Sequence, residues 1–261
     1  MKKKTIYLSI ITIITVICIA IGLLIHVIAP AVGWLSDVSD DLNDSGSFLS
    51  GSTVSEELDA FSGIDFDIKV SDVTIAYDDT YAISYKTNKK VLVPQYEIKD
   101  DTLYVKQASD KPLRGLSNNG NCSLQITVPR EATLKLVKGT SSVGDFSMEK
   151  LGAKTLDIYV NVGDIDISDN TFDDITIGSD VGDIDLDNVT FTTADLSSDV
   201  GDIDLTSAVS LEAYAMDLSC DIGEIDVNSD SYRTKYQQQT DSESLNTLTV
   251  ATDTGDITIE Y

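Results

Sequence analysis

One short acidic phrase, Gly-Asp-Ile-Asp or a close variant, returns repeatedly in the second half of this chain. The first four copies are spaced by a constant 19 residues, measured from glycine to glycine. A unit this short cannot bury its own apolar face, so neighbouring units must stack and share one core. The repeat therefore predicts a stack of similar units. The aligned glycines are Gly144, Gly163, Gly182, Gly201, Gly223 and Gly255.

The apolar positions within each copy change parity at the glycine. Ile175 and Ile177 precede Gly182 by odd numbers of residues, whereas Ile184 and Leu186 follow it by even numbers. Side chains alternate strictly along a strand, so the inward face can change only where the chain bends, and glycine suits such a corner. Each copy is therefore predicted to form two strands joined at its glycine. A third apolar position that closes the unit is predicted at Phe172, Phe191 and Leu211.

These patterns predict an all-β fold, a β-solenoid in which coils of about 19 residues stack in register. Like residues of successive coils would lie ~4.8 Å apart, with Ile165, Ile184 and Ile203 as neighbours in one interior. An antiparallel β meander or sandwich is the alternative, because Gly-Asp also suits a two-residue hairpin turn. We place the solenoid at residues 139–261, with a polar loop insertion at 231–247 that interrupts the period.

The segment before the repeat alternates apolar and polar residues with a period of two. Short strands are predicted there, including a hairpin at 96–106 that turns at Asp100 and Asp101. We interpret residues 58–138 as a β-rich lead-in that caps the solenoid. Residues 33–57, rich in Ser, Asp and Gly, predict a flexible linker.

The N-terminal residues have the composition of a membrane anchor. Residues 1–4 include three lysines, and the apolar segment 5–32 exceeds the ~20 residues that cross a membrane. The lysines predict a cytoplasmic tail at 1–4 and an outward-facing remainder, attached by a single transmembrane helix that acts as a signal anchor. The sequence Ala29-Pro30-Ala31 is also typical of a signal cleavage site, so cleavage stays open.

The net charge of the chain limits which classes of molecule can be its binding partners. The chain has 44 acidic and 18 basic residues, a formal net charge of −26, which repels nucleic acids. We therefore predict no nucleic-acid partner. The expected partners are the membrane, through the N-terminal helix, and a protein or polysaccharide of the cell envelope.

The repeated acids have two interpretations. They can be solvated charges on the outside of the stack, or they can bind Ca²⁺, which takes 6–8 oxygen ligands. Two carboxylates ~4.8 Å apart in water repel by roughly 0.9 kcal/mol, whereas burial of one Ile contributes about 1.5–3 kcal/mol. The core can thus tolerate the charges without a metal, and we predict no cofactor, with Ca²⁺ as the alternative. The Ca²⁺ candidates are Asp164, Asp166, Asp183, Asp185, Asp202 and Asp204.

No catalytic set stands out. The single histidine, His26, lies in the predicted membrane segment, which leaves no histidine for a Ser-His, Cys-His or zinc site. Paired carboxylates recur in every copy, whereas a catalytic pair should be a local exception to the repeat. We therefore predict that the chain is not an enzyme. Cys220 is expected to be a small buried thiol, and whether it pairs with Cys122 stays open.

Alternating strands that end at Val128-Pro129, followed by reiterated VGDIDI/L phrases, resemble the bacterial β-strand-repeat "putative adhesin" family of unknown function. LiaG-like membrane-anchored envelope proteins belong to it. The resemblance covers most of residues 58–261 and implies a location at the bacterial cell membrane, with no agreed enzymatic residues. The expected function is that of a non-catalytic envelope scaffold, adhesin-like module or stress-response interaction module. The alternatives are a Ca²⁺-dependent adhesin or sensor and a polysaccharide-active enzyme.

Overall fold

The computed structural model describes residues 53–87, 90–107, 122–239 and 246–261. These residues form an all-β fold with one 3₁₀ turn at Lys90–Leu92. No helix in this part of the chain is long and apolar enough to cross a membrane. The predicted tail, the anchor and most of the linker lie outside the described residues.

Two mixed sheets contain all the strands of the described residues. Sheet I consists of β1 Val54–Glu57, β3 Asp72–Asp78, β4 Ala82–Lys86, β7 Ser123–Pro129, β9 Phe146–Glu149, β11 Ile165–Ser168, β13 Ile184–Val189, β15 Ile203–Ser207, β17 Ile225–Val227, β18 Asp230–Tyr232 and β21 Ile257–Glu260. Sheet II consists of β2 Gly63–Ile68, β5 Gln95–Lys99, β6 Thr102–Lys106, β8 Leu134–Ser141, β10 Gly152–Val162, β12 Thr171–Val181, β14 Thr193–Val200, β16 Ala215–Ile222, β19 Lys235–Gln238 and β20 Thr247–Thr254.

Each repeat contributes one strand to each sheet, and we call such a pair of strands a coil. Equivalent strands of neighbouring coils pair in parallel and in register, so that Ile165 lies opposite Ile184, and Ile184 opposite Ile203. All three side chains are buried, and this part of the prediction is confirmed. Pairing between repeats is thus parallel and not that of a meander. The predicted third apolar positions, Phe172, Phe191 and Leu211, are buried as well.

The coils do not stack in the order of the sequence. The C-terminal coil, β20–β21, lies between β14–β15 and β16–β17, and it pairs in parallel with both. At the other end, β2–β3 lies between β6–β7 and β8–β9. The first and last coils of the described chain are therefore both interior to the stack.

Antiparallel strands cover the two ends of the stack. At one end β5 pairs with β6 and β4 pairs with β7, and the first of these pairs is the predicted hairpin at 96–106. At the other end β18 pairs with β17 and β19 with β16. The structure differs here from the predicted loop at 231–247, because the polar segment covers strand edges that would otherwise be exposed.

Side chains from both sheets form one hydrophobic core. Phe66 of sheet II stacks on Phe146 of sheet I with 5.9 Å between ring centroids, which shows that the sheets face each other. The ring of Phe66 occupies the space that a side chain at Gly139 would need. Cys122 and Cys220 are both buried and both free, so the thiol predicted at Cys220 is confirmed and no disulfide joins them.

Candidate functional site: the glycine corner and its carboxylates

Each of the six aligned repeats turns from sheet II to sheet I at a glycine whose position leaves no room for a side chain. Gly182 has a φ of +145°, and a Cβ there would lie 2.0 Å from the carbonyl oxygen of Gly163. The same close approach recurs at Gly201 and Gly255. The backbone remains hydrogen-bonded, because the N–H of Gly182 donates to the carbonyl of Val200 at 3.0 Å. The predicted glycine corner is confirmed.

In five of the six aligned repeats, the side chain of the residue after the glycine accepts a hydrogen bond from a neighbouring coil. The Oδ1 atom of Asp164 accepts a hydrogen bond from the backbone N–H of Asp183 at 3.0 Å. Asp183 in turn accepts one from the N–H of Asp202 at 2.8 Å. Such charge-assisted bonds are stronger than neutral ones. We call the series the carboxylate ladder, and its members in stacking order are Asp72, Asp145, Asp164, Asp183, Asp202, Asp256 and Glu224.

The ladder explains the single glutamate among the six aligned copies. Glu224 donates its N–H to Asp256 at 2.8 Å, but its own carboxylate accepts no backbone N–H from a described residue. It lies in the last coil of the stack, although it precedes Asp256 in the sequence. Asp, with its shorter side chain, occupies this position in every coil whose carboxylate accepts a hydrogen bond from the next coil. Glu, with its longer side chain, occupies it in the coil after which no further coil stacks.

Removing one acceptor from the ladder should reduce stability. We expect Asp183→Ala to lower the free energy of unfolding by about 1–3 kcal/mol, because the N–H of Asp202 loses its partner. Asp183→Asn keeps an acceptor oxygen and should lose less. Glu224→Ala is the matched control and should be nearly neutral. Denaturant unfolding measures all three, and equal losses for Asp183→Ala and Glu224→Ala would contradict the ladder.

A second outward column lies beside the ladder and contains three consecutive aspartates. Asp166, Asp185 and Asp204 lie opposite one another on adjacent parallel strands. Partial burial, and then the neighbouring carboxylates, raise the pKa of Asp166 and Asp185 above the usual range. Ser147 and Thr258 occupy the flanking positions, so the unbroken run of carboxylates ends there.

Asp185→Asn should stabilise the protein at neutral pH. Because the pKa of Asp185 is raised on folding, the folded protein holds a proton there more readily than the unfolded chain does. At a pH above the pKa of Asp185 in the folded protein, the ionised carboxylate therefore lowers the free energy of unfolding. This destabilisation disappears as the pH falls through that pKa toward the pKa of Asp185 in the unfolded chain. Melting temperatures of variant and wild type should converge from about pH 7 to about pH 4. A difference that stays constant over this range would contradict the prediction.

A third column consists of the residues that lie two positions before each aligned glycine. The hydroxyl of Tyr159 donates a hydrogen bond to the carboxylate of Asp180, which raises the pKa of the Tyr159 phenol. The ring of Tyr159 reaches across Gly178, where a Cβ would lie 2.7 Å from it. In stacking order the acidic members of this column are Asp180, Asp199, Asp253 and Asp221.

Comparison with known sequences identifies the fold family. The Toastrack DUF4097 family matches residues 61–242, which is most of the chain. The chain belongs to this family. The resemblance to a "putative adhesin" family of unknown function is thereby confirmed. A search of curated proteins found no significant relative of the chain.

Solved structures share the Toastrack architecture at low sequence identity. A "putative cell adhesion protein" from Clostridium sporogenes is 14% identical, with a TM-score of 0.56, over 80% of this chain and 98% of the other. A "putative adhesin" from Bacteroides fragilis is 17% identical, with a TM-score of 0.47, over 80% and 96% of the two chains. The first of these supports the shared fold.

The Toastrack stack divides the six Ca²⁺ candidates between two columns. Asp164, Asp183 and Asp202 belong to the carboxylate ladder, whereas the other three form the second column. Within the described ranges, no group of three or more His, Cys, Asp or Glu side chains is arranged to hold a metal ion. Ca²⁺ binding by the six candidates stays a prediction.

The described part of this Toastrack chain contains no histidine. Burial raises the pKa of the Cys220 thiol, which makes this group a weaker nucleophile. From coil to coil, the acids of the carboxylate ladder bond to the same kind of partner, the backbone N–H of the next acid. The outward position of these acids was predicted from the sequence, but the hydrogen bond from the acid after the glycine to the next coil was not. The preference for Asp over Glu at that position is the signal that could have revealed it.

Proposed function

We propose that the chain is a non-catalytic β-solenoid, anchored in a bacterial cell membrane by residues 5–32, that acts as an interaction scaffold in the envelope. The carboxylate ladder is the observation that carries the proposal. It gives one acid per coil a structural role, and so removes these acids from the candidates for catalysis. A rigid stack with a uniform outer surface suits the display of a binding face.

An adhesin-like role is the form of this function that we favour. The similarly folded protein from Clostridium sporogenes is described as a "putative cell adhesion protein". The exposed acids of three adjacent columns offer a binding surface of one sign to a partner in the envelope. The part of the predicted polar linker that precedes β1, residues 33–53, would hold this surface away from the membrane.

Protease treatment of intact cells tests the location. With one epitope tag before Met1 and another after Tyr261, we expect external protease to remove the C-terminal tag and leave the N-terminal one. Lysed cells, in which both tags become accessible, are the control. Protection of the C-terminal tag in intact cells would refute the outward orientation.

Crosslinking in intact cells tests the scaffold role. Wild type should capture an envelope protein or polysaccharide that a folding-defective variant, such as Gly182→Ala, does not capture at equal abundance. Identical capture by both proteins, or none by either, would contradict an interaction role of the folded domain.

A Ca²⁺-dependent adhesin or sensor is the second candidate, and the second column favours it. Partial burial, and then the neighbouring carboxylates, raise the pKa of Asp166 and Asp185, and a bound cation would relieve the repulsion between these carboxylates. Millimolar Ca²⁺ should then raise the melting temperature of wild type more than Mg²⁺ does. The double variant Asp185→Asn and Asp204→Asn should lose this response. An unchanged melting temperature of wild type would count against Ca²⁺ binding.

A further inference from the structure

An apolar stripe runs along the outer edge of the stack, immediately before the glycine corner. Val162, Val181 and Val200 are 47%, 47% and 48% exposed, and Ile222 at the end of the line is 51% exposed. They lie in register on adjacent strands, with Thr254 between Val200 and Ile222. At ~4.8 Å per strand the stripe is about 19 Å long. Exposed apolar side chains aligned in this way, with the line broken only at Thr254, are typical of an interaction surface.

The fold does not require apolar residues at these positions. Thr254 occupies the same column and keeps the same backbone pairing, so a β-branched polar residue is accommodated there. The neighbouring inward position is already filled by small buried residues such as Ser179 and Ser198. The stripe therefore lies outside the core and adds little to it.

Carboxylates border the stripe on both sides. Asp180, Asp199 and Asp221 directly precede members of the stripe, and the carboxylate ladder follows one residue after the glycine. None of the ion pairs formed by the described residues involves these acids or Asp164, Asp183 and Asp202 of the ladder. Along the chain, the stripe thus lies between two columns of acidic residues.

This arrangement selects one kind of occupant. A second copy of the chain would bring the same negative margins into contact, and nucleic acids and anionic lipids are repelled for the same reason. A basic amphipathic helix is complementary, because its 5.4 Å pitch approximates the ~4.8 Å spacing and its apolar line can follow the stripe. Lysine and arginine stems would cover the apolar margin while their charges reach the carboxylates.

Resting on the proposed interaction role, we propose that the stripe Val162, Val181, Val200 and Ile222 is the docking site of a cationic amphipathic helical segment. About 13 residues of helix span the stripe at 1.5 Å per residue. Apolar contact along the centre determines alignment and affinity, and the acidic margins determine attraction and association rate.

A synthetic helix can test this site. The probe is a peptide of about 14 residues with leucine on one helical face and lysine elsewhere, measured by fluorescence anisotropy at about 0.15 M salt. The peptide controls are a scrambled sequence of the same composition and oligolysine. We expect the amphipathic peptide to bind the full-length protein at least about tenfold more tightly than either control.

The matched protein variant replaces Val162, Val181 and Val200 by threonine, the residue that this column already contains at position 254. It should keep the wild-type melting temperature and lose at least about tenfold in affinity for the amphipathic peptide. A second variant, Asp180→Asn with Asp199→Asn and Asp221→Asn, should bind more weakly and show a smaller salt dependence.

Three results would overturn the proposal: no binding, equal binding of all three peptides, or unchanged binding by the threonine variant. The second would mean simple charge attraction. The scaffold role and the docking site can be refuted independently of each other. If crosslinking in cells captures a partner equally well with the threonine variant, the scaffold role stands and this docking site is refuted.

Discussion

Gly182→Ala will destabilise the whole domain and not only one turn. The new Cβ would lie 2.0 Å from the carbonyl oxygen of Gly163, and the residue would keep a φ of +145° that alanine rarely adopts. Neither backbone can move away without breaking the parallel pairing of the coils. We expect a loss of at least about 3 kcal/mol, or a melting temperature lower by roughly 6–12 °C.

Gly152→Ala is the matched control for this prediction. Gly152 begins β10, has no positive φ, and a Cβ there would lie 3.1 Å from its nearest neighbour, the carbonyl oxygen of Thr171. Its replacement should cost less than about 1 kcal/mol. Thermal and denaturant unfolding of both variants measure the effect, and similar stability of the two would refute the corner as the most constrained point of the fold.

Removing residues 246–261 should abolish cooperative folding. This segment supplies β20 and β21, which pair on both sides in both sheets, and it buries Leu248, Val250, Ile257 and Ile259. Each such side chain contributes about 1.5–3 kcal/mol, so the four together approach the whole stability of an ordinary domain, about 5–15 kcal/mol. Circular dichroism and size exclusion would show loss of native structure or aggregation.

A peptide of residues 246–261 added in trans provides the control. It should restore cooperative unfolding, whereas the same peptide with serine at its four buried positions should not. If the truncated chain instead folds as a stable monomer without the peptide, β16–β17 can stack directly on β14–β15, and the interior position of the last coil is not needed.

The interior of the stack was predictable because it depends on single residues in a fixed pattern. Ile165, Ile184 and Ile203 occupy equivalent places in the repeat, and parallel pairing in register brings them together. The glycine corner was predictable for the same reason, because the change of parity requires a bend. A local pattern determines both features.

The order of the last two coils was not predictable from the same pattern. Both copies present similar apolar faces, so either one could stack on β14–β15. The segment after β17 decides between them, because it folds back as β18 and β19 and covers one face of the coil β16–β17. Within that polar segment, Tyr232 and Tyr236 are the apolar residues whose even spacing weakly indicated strands. Their ring centroids lie 4.6 Å apart.

The acids were recognised as outward-facing, but their bonding was not foreseen. An outward Asp in a repeat is typical of a solvated surface, and only the distance between coils shows that its carboxylate reaches the next backbone N–H. The residue before the glycine was grouped with the apolar positions, yet Val181 lies beyond the last buried side chain of its strand and is half exposed.

Because the coils β2–β3 and β20–β21 each lie between two other coils, neither can be removed without opening a gap inside the stack. A whole 19-residue unit between these two coils is the simplest part to insert or delete, since neighbouring units there pair in the same parallel register. The units around Gly182 and Gly201 share the phrase DVGDIDL, and the unit around Gly163 differs from it only at the first and last positions, NVGDIDI. Relatives should accordingly differ in height by whole steps of ~4.8 Å while keeping both ends unchanged.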